Sequence, residues 1–292
     1  MTVLQRVFAL TSARLATGIL VLIVLLAIFG PLLAPQNPLA TSVQTLAGPS
    51  GAHWLGTDNL GRDVFSRLLQ GSQISVLGSL EVALMALVVG TIPGILSVYV
   101  GRVAEWLTLR LADTLVALPF LLFAVAVTAL LGNGISQAML VTGVLVSPLF
   151  YRVARAATLS VARSQYVEAA QISGASLGWI VRRHVWVKVL PPIAVALAHT
   201  VGVGFIIVSS LSFLGIGVQP PTPTWGGLLA SDLGFLSYQP WAPFVPAVLI
   251  MLTVWACNML ADAIRDVSGE AGRALVGTRK VRADQTVAGG AS

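Results

Sequence analysis

The run LATGILVLIVLLAIFGPLLA, Leu15 to Ala34, is twenty residues long and carries no charge. A helix rises about 1.5 Å per residue, so about 20 apolar residues cover the hydrocarbon of a bilayer. The run exceeds the roughly 7–15 residues of a signal-peptide core, and Pro31 and Pro35 stand where a small-x-small cleavage site belongs. It therefore reads as a retained membrane span. Five more apolar stretches follow: Val76–Val100, Thr114–Leu131, Ile135–Tyr151, Val189–Val218 and Trp241–Leu260. The chain is predicted to be an all-α integral membrane protein with six spans.

Composition agrees. Hydrophobic residues make up 56 % of the 292 residues and charged residues 10 %, against about 25 % charged in a soluble domain. So few charges cannot clothe a water-soluble protein of this size, and so much apolar surface argues against disorder. The one cysteine, Cys257, lies in an apolar stretch, so neither a disulfide nor a cysteine-based zinc site forms within the chain. The net charge of +6 is read as topology and not as a nucleic-acid footprint. The expected outer connections, Pro35–Ser75, Gly132-Asn133-Gly134 and Gln219–Pro240, hold only Arg62 and Arg67 among basic residues. Arg6, Arg14, Arg102, Arg110, the Arg152–Lys188 loop and the C-terminal tail hold the others, which places both termini in the cytoplasm.

Three parts follow: 1–74, with the first span and an outer loop; 75–268, the transmembrane core with a long cytoplasmic loop at about 152–190; and 269–292, a cytoplasmic tail expected to be disordered. Within the spans, Gly90 and Gly94, and the stripe Ala194, Ala198 and Gly202, are small-x-x-x-small patterns that let helices approach closely. Pro93 marks an expected kink. Ser209, Ser210 and Ser212 put hydroxyls near the outer end of the fifth span, where they line a polar path or bond their own helix. Glu81 and His199 are isolated polar groups in apolar runs.

Known chemistry is missing. Lys188 and Lys280 are the only lysines, and neither sits in a phosphate-binding loop. No H-E-x-x-H or G-x-S-x-G motif occurs. A secondary carrier would be expected to show repeated halves and a charged midplane site, and neither stands out.

The long cytoplasmic loop is the informative stretch: Tyr166-Val167-Glu168-Ala169-Ala170-Gln171-Ile172-Ser173-Gly174-Ala175-Ser176. Glu168 suits the positive end of a short helix. Ala169 and Ala170 favour helix and leave little bulk between it and a partner. Gly174 supplies the left-handed residue that ends it, and Ser176 N-caps a second helix running to about Val189, with Arg182 and Arg183 exposed. These helices form a knob on the inner face, or an amphipathic linker on lipid headgroups.

Glu168-Ala169-Ala170, three residues, then Gly174 resembles the EAA---G signature of permease subunits of ATP-binding-cassette importers. The likeness is greatest to the C-type subunit of the dipeptide/oligopeptide and nickel permeases. Three further stretches carry it: HWLGTDNLGRDVFSR (53–67), SSLSFLGIGVQPPTPTWG (209–226) and NMLADAIRD (258–266). The family's proline element about ten residues after the glycine is absent; His184-Val185-Trp186-Val187 stands there, and Leu190-Pro191-Pro192 is expected to end the second helix.

The resemblance implies the type I importer permease fold and a bacterial inner-membrane location. It implies a homologous second permease subunit, two ATPase subunits or one fused ATPase, and an extracytoplasmic peptide-binding protein. Glu168, Ala169, Ala170, Gly174 and Ala175 would couple to the ATPase. Asp58, Arg62, Asp63, Pro221 and Trp225 would meet the binding protein, although the three charged residues could instead pair with one another to fold the loop. Ser209, Ser210 and Ser212 would line the translocation path. No catalytic residue, metal or cofactor is expected in this chain, with ATP and Mg held by the partner ATPases. Nickel or another small solute, and a stand-alone carrier, are the alternatives to peptide.

Overall fold

The computed structural model describes residues 3–132 and 134–288, with side chains over 5–132 and 134–269. In chain order the helices are α1 (Val3–Val7), α2 (Thr11–Leu33), α3 (Val64–Leu96), α4 (Arg102–Ala117), α5 (Phe120–Leu131), α6 (Ile135–Ala162), α7 (Gln165–Ile172) and α8 (Leu177–Ile180). A π-turn (Val181–Val185) leads into α9 (Trp186–Phe213), and α10 (Trp225–Leu233) and α11 (Phe244–Ala288) complete the fold. No strand is present among the described residues.

Helices α2, α3, α6, α11 to Gly269, and the continuous rod from α8 through α9 are each long and apolar enough to cross a membrane. The third expected span departs from the prediction. Its apolar run is divided between α4 and α5, which meet at 98°. Pro119 explains the break: its ring disfavours helical geometry at the preceding residue, and Leu118 is extended with φ −71° and ψ 136°. The 12 residues of α5 reach only about 18 Å, so a sixth crossing exists only if the bent pair acts as one.

The other spans occur, with shifted ends. Helix α3 begins well before its apolar run, because Ser66, Arg67, Gln70 and Gln73 dilute its first three turns. Asp63 N-caps it, accepting from the Ser66 amide at 2.8 Å. Pro93 lies within α3 without interrupting it. The expectation that Pro191 and Pro192 end a helix is overturned, since α9 runs through both. The missing amides free the carbonyls of Val187 and Lys188, and those residues are exposed, so their surroundings can hydrate or otherwise satisfy the oxygens. For the tail after Ser268, expected to be disordered, only backbone is described, as the continuation of α11 to Ala288; its side chains and residues 289–292 lie outside the described residues.

The bundle centres on α3 against α6. The glycine pattern on α3 makes this contact possible: a Cβ at Gly90 would lie 2.3 Å from the Ser147 carbonyl oxygen, and one at Gly94 would lie 2.7 Å from that of Tyr151. Gly202 plays a similar part between α9 and Cys257 of α11. Arg152 and Arg155, near the end of α6, pair with Asp113 and Glu105 of α4. Those ion pairs lay α4 across one end of the bundle. The bundle thus has two unlike ends. One carries α7 and α8 (the knob end); the other carries residues 34–63 and α10 (the loop end).

Candidate functional site

At the knob end, α7 is held by one residue and bared by its neighbours. Val167 is fully buried with Ile180, Val185, Val189 and Phe150, while Glu168 and Ala169 are exposed and Ala170 is half-buried. Burying a valine contributes about 1.5–3 kcal/mol, enough to hold so short a helix against the bundle. Glu168 lies in the first turn, where its charge complements the helix dipole.

The exit from α7 is a Schellman turn. The Ala175 amide donates to the Ala170 carbonyl and the Gly174 amide to that of Gln171, both at 3.0 Å. Gly174 takes φ +82°, in open space, with nothing within 4 Å of where a Cβ would lie. Ser176 then caps α8, accepting from the Trp179 amide at 3.4 Å. The π-turn rotates the chain so that Ile180 and Val185 both point inward while Arg182 and Arg183 stay exposed. Beside α7, His184 contacts Tyr166 and Trp179, with ring centroids 5.4 and 5.2 Å apart. Ile172, 82 % exposed, completes a bare apolar and small-residue face.

At the loop end, the charged residues of 53–67 turn inward. Asp58 accepts from the Leu60 and Arg62 amides, each at 2.9 Å, and from Arg62 Nε at 2.7 Å. Arg67 Nε lies 3.5 Å from the same carboxylate. Asp63, besides capping α3, contacts His53 Nδ1 at 3.0 Å. Asp58, Arg62, Asp63 and Arg67 are all at least nine-tenths buried. Asp58 pairs with Arg62, as one of the two expected roles has it, while Asp63 pairs with His53; these side chains stitch the loop and leave little exposed surface. Gln239 fastens this fold to the far connection, donating to the Ala47 and Thr57 carbonyls at 2.8 and 2.9 Å.

Trp225 is likewise internal. It is 0 % exposed, stacks on Phe205 with centroids 5.9 Å apart, and donates from Nε1 to the Leu68 carbonyl at 3.2 Å. The role of a surface anchor does not suit a side chain so enclosed. Pro221 remains exposed. Trp54, 62 % exposed and packed against Phe65, is one of the large apolar side chains that this end presents, with Leu60 and Tyr238.

The three serines separate. Ser210 bonds its own helix at the Ile206 carbonyl. Ser209 and Ser212 are buried, and neither hydroxyl has a hydrogen-bond partner among the described residues. Sequence reasoning misses two members of this region. Arg67 reads in the sequence only as a loop charge. Asp232 of α10 gives no signal there, yet it is 7 % exposed, and burial pushes its carboxyl up to about 6.

A membrane-crossing helical bundle bearing a short helix proud of one end and a folded polar cap on the other has the form of a transport permease. The comparisons agree. A chain of the MetNI methionine ABC transporter, in inward-facing conformations, shares the fold with a TM-score of 0.56 at 18 % identity, over 69 % of this chain and 96 % of that one. Residues 86–270 match the family described as binding-protein-dependent transport system inner membrane component. Residues 2–49 match the N-terminal TM domain of oligopeptide transport permease C.

The chain belongs to the binding-protein-dependent permease family of ABC importers. Among its relatives is the probable D,D-dipeptide transport system permease protein DdpC of Escherichia coli K12, 36 % identical over 85 % of this chain and 84 % of that one. The glutathione transport system permease protein GsiD of Pectobacterium atrosepticum is 38 % identical over 75 % and 73 %. The dipeptide transport system permease protein DppC of Alkalihalophilus pseudofirmus is 34 % identical over 83 % and 80 %.

Proposed function

We propose that this chain is the peptide-importing permease subunit of an ATP-driven transporter in a bacterial cytoplasmic membrane. It forms half of the translocation path with a homologous partner and receives work from an ATPase through α7. The observation that carries this reading is the construction of α7: Val167 roots it in the core while Glu168 and Ala169 are left bare. A helix held from behind and small in front can enter a groove on another protein and transmit its movement as a lever. Relatives named for dipeptides and glutathione support peptide as the cargo.

In this reading the knob end faces the cytoplasm, as the distribution of basic residues favours, and the loop end meets an extracytoplasmic binding protein. Closure of ATP-loaded ATPase subunits moves α7 and rocks the bundle between inward-open and outward-open forms. Hydrolysis belongs to the partners, which hold ATP and Mg, so the chain itself needs no catalytic group. Because coupling free energy is reciprocal, a docked binding protein alters ATPase activity in return.

The test is peptide uptake and ATPase stimulation by the reconstituted complex carrying Glu168→Lys or Gly174→Pro. Both variants should assemble yet lose the coupling between uptake and hydrolysis. Unchanged coupling in both would defeat the proposal. Competition between labelled peptide and nickel separates peptide from nickel as cargo.

A further inference from the structure

Where the first loop, the last turn of α9 and the start of α10 meet, a cavity of about 330 Å³ opens at the loop end. Arg62, Arg67, Ser212, Thr222, Thr224 and Ser231 supply its polar lining. Arg62 is only 7 % exposed. Its Nε is held by Asp58, but its two terminal nitrogens have no hydrogen-bond partner among the described residues. Ser212, 4 % exposed, also lines the cavity with an unpaired hydroxyl. Unlike the Ser212 hydroxyl, the terminal nitrogens of Arg62 are not among the buried unpaired atoms, so a mostly buried guanidinium offers an accessible fork beside an unpaired buried hydroxyl, an arrangement able to receive a polar guest.

The start of α10 adds a weak positive potential. Thr224 caps that helix at 3.0 Å and lines the same cavity, so the positive end of the helix dipole lies at its wall. Nearby charges nearly balance: Asp58 lies against both arginines, and Asp232 interacts with Arg67 and Asp58. The site therefore offers directed donors more than bulk charge. That suits a single carboxylate, which a guanidinium fork binds with two parallel N–H···O bonds. A peptide leaving a binding protein must have its free carboxylate partnered again, since an unpaired charge is expensive to take out of water.

We propose that this cavity receives the carboxylate of the incoming peptide, with the free fork of Arg62 as its main partner and Ser212 as a second donor. The inference rests on the peptide-importer reading and deepens it. Ser212 belongs to a membrane-crossing helix, which favours a guest on its way inward over a side chain of the docked binding protein.

The test uses the complete reconstituted transporter, with binding protein loaded to equal occupancy with a dipeptide or the same dipeptide amidated at its C-terminus. The parent should take up the free acid with an apparent KM about tenfold lower than the amide, as one charge-assisted contact implies. Arg62→Gln should abolish that preference by slowing only the free acid, and Arg62→Lys should restore part of it. Because Arg62 also helps fold the loop, Ser212→Asp is the second variant. It places a carboxylate in the cavity without touching the Asp58–Arg62 pair, and it should also erase the preference. Equal losses for acid and amide in these variants, with or without weaker binding-protein docking, would overturn the proposal. Failure of the parent to import either peptide while it couples to ATPase would instead overturn the peptide reading itself.

Discussion

Asp58 has the most to lose by substitution. Its carboxylate answers two amides and two guanidinium groups, and both arginines are more than nine-tenths buried. Asp58→Ala would strand those charges, a loss of about 3–5 kcal/mol. The expected outcome is a lower thermal midpoint in detergent and rapid proteolysis within 35–63. Asp232 makes a prediction about pH. Burial raises its carboxyl from the ordinary 3.8 to about 6, so between those values the folded protein holds a proton that the unfolded chain releases. Its contribution is full below about 3.8 and is lost as pH rises through 6, leaving a charged buried acid above it. Asp232→Asn should therefore be more stable than the parent at pH 7.5, by on the order of 2 kcal/mol. That advantage should shrink as pH falls from 7 to 4, as paired thermal melts would show.

Among the elements, the packing of α3 on α6 and the exit from α7 ask different things of glycine. Gly90→Val drives a side chain into the Ser147 carbonyl, and overpacking of that kind costs about 1–3 kcal/mol or more. It should reduce the yield of folded protein in size-exclusion chromatography. Gly174→Ala meets no neighbour and suffers only the strain of φ +82°, about 1 kcal/mol. Its melting should barely change.

These elements also show what a sequence can disclose. Apolar runs mark the spans because hydrocarbon demands them, and α7 is legible because alanine and glycine have strong local meanings. Lengths mislead where polarity and span diverge. The first turns of α3 are polar because they face the folded loop, and α9 absorbs Pro191 and Pro192 because the freed carbonyls lie on exposed residues. The break at Pro119 is in plain view, but the apolar residues on its two sides read as one run. The cavity is hidden for another reason. Arg62, Ser212 and Thr224 are far apart in the chain, and nothing local announces that Asp58 leaves the fork of Arg62 free.

For the whole molecule, the two ends are built differently: a short helix rooted in the core at one, a stitched cap with a polar cavity at the other, and a glycine-tightened bundle between them. Under the proposed function, movement imposed on α7 would reach α9 through Ile180 and Val185, which share one core with Val167, Phe150 and Val189. The loop end would feel that movement through α9, whose last turn lines the cavity. The most direct test of this arrangement is disulfide crosslinking of Ala169→Cys to a cysteine in the groove of the ATPase subunit; the native Cys257 is buried and silent. The crosslink should form in the assembled transporter, leave peptide bound to its binding protein, and permit uptake only while the ATPase is free to carry α7 with it. An introduced thiol that reacts only with reagents applied outside the cell, or that never joins the ATPase in any nucleotide state, would contradict the account.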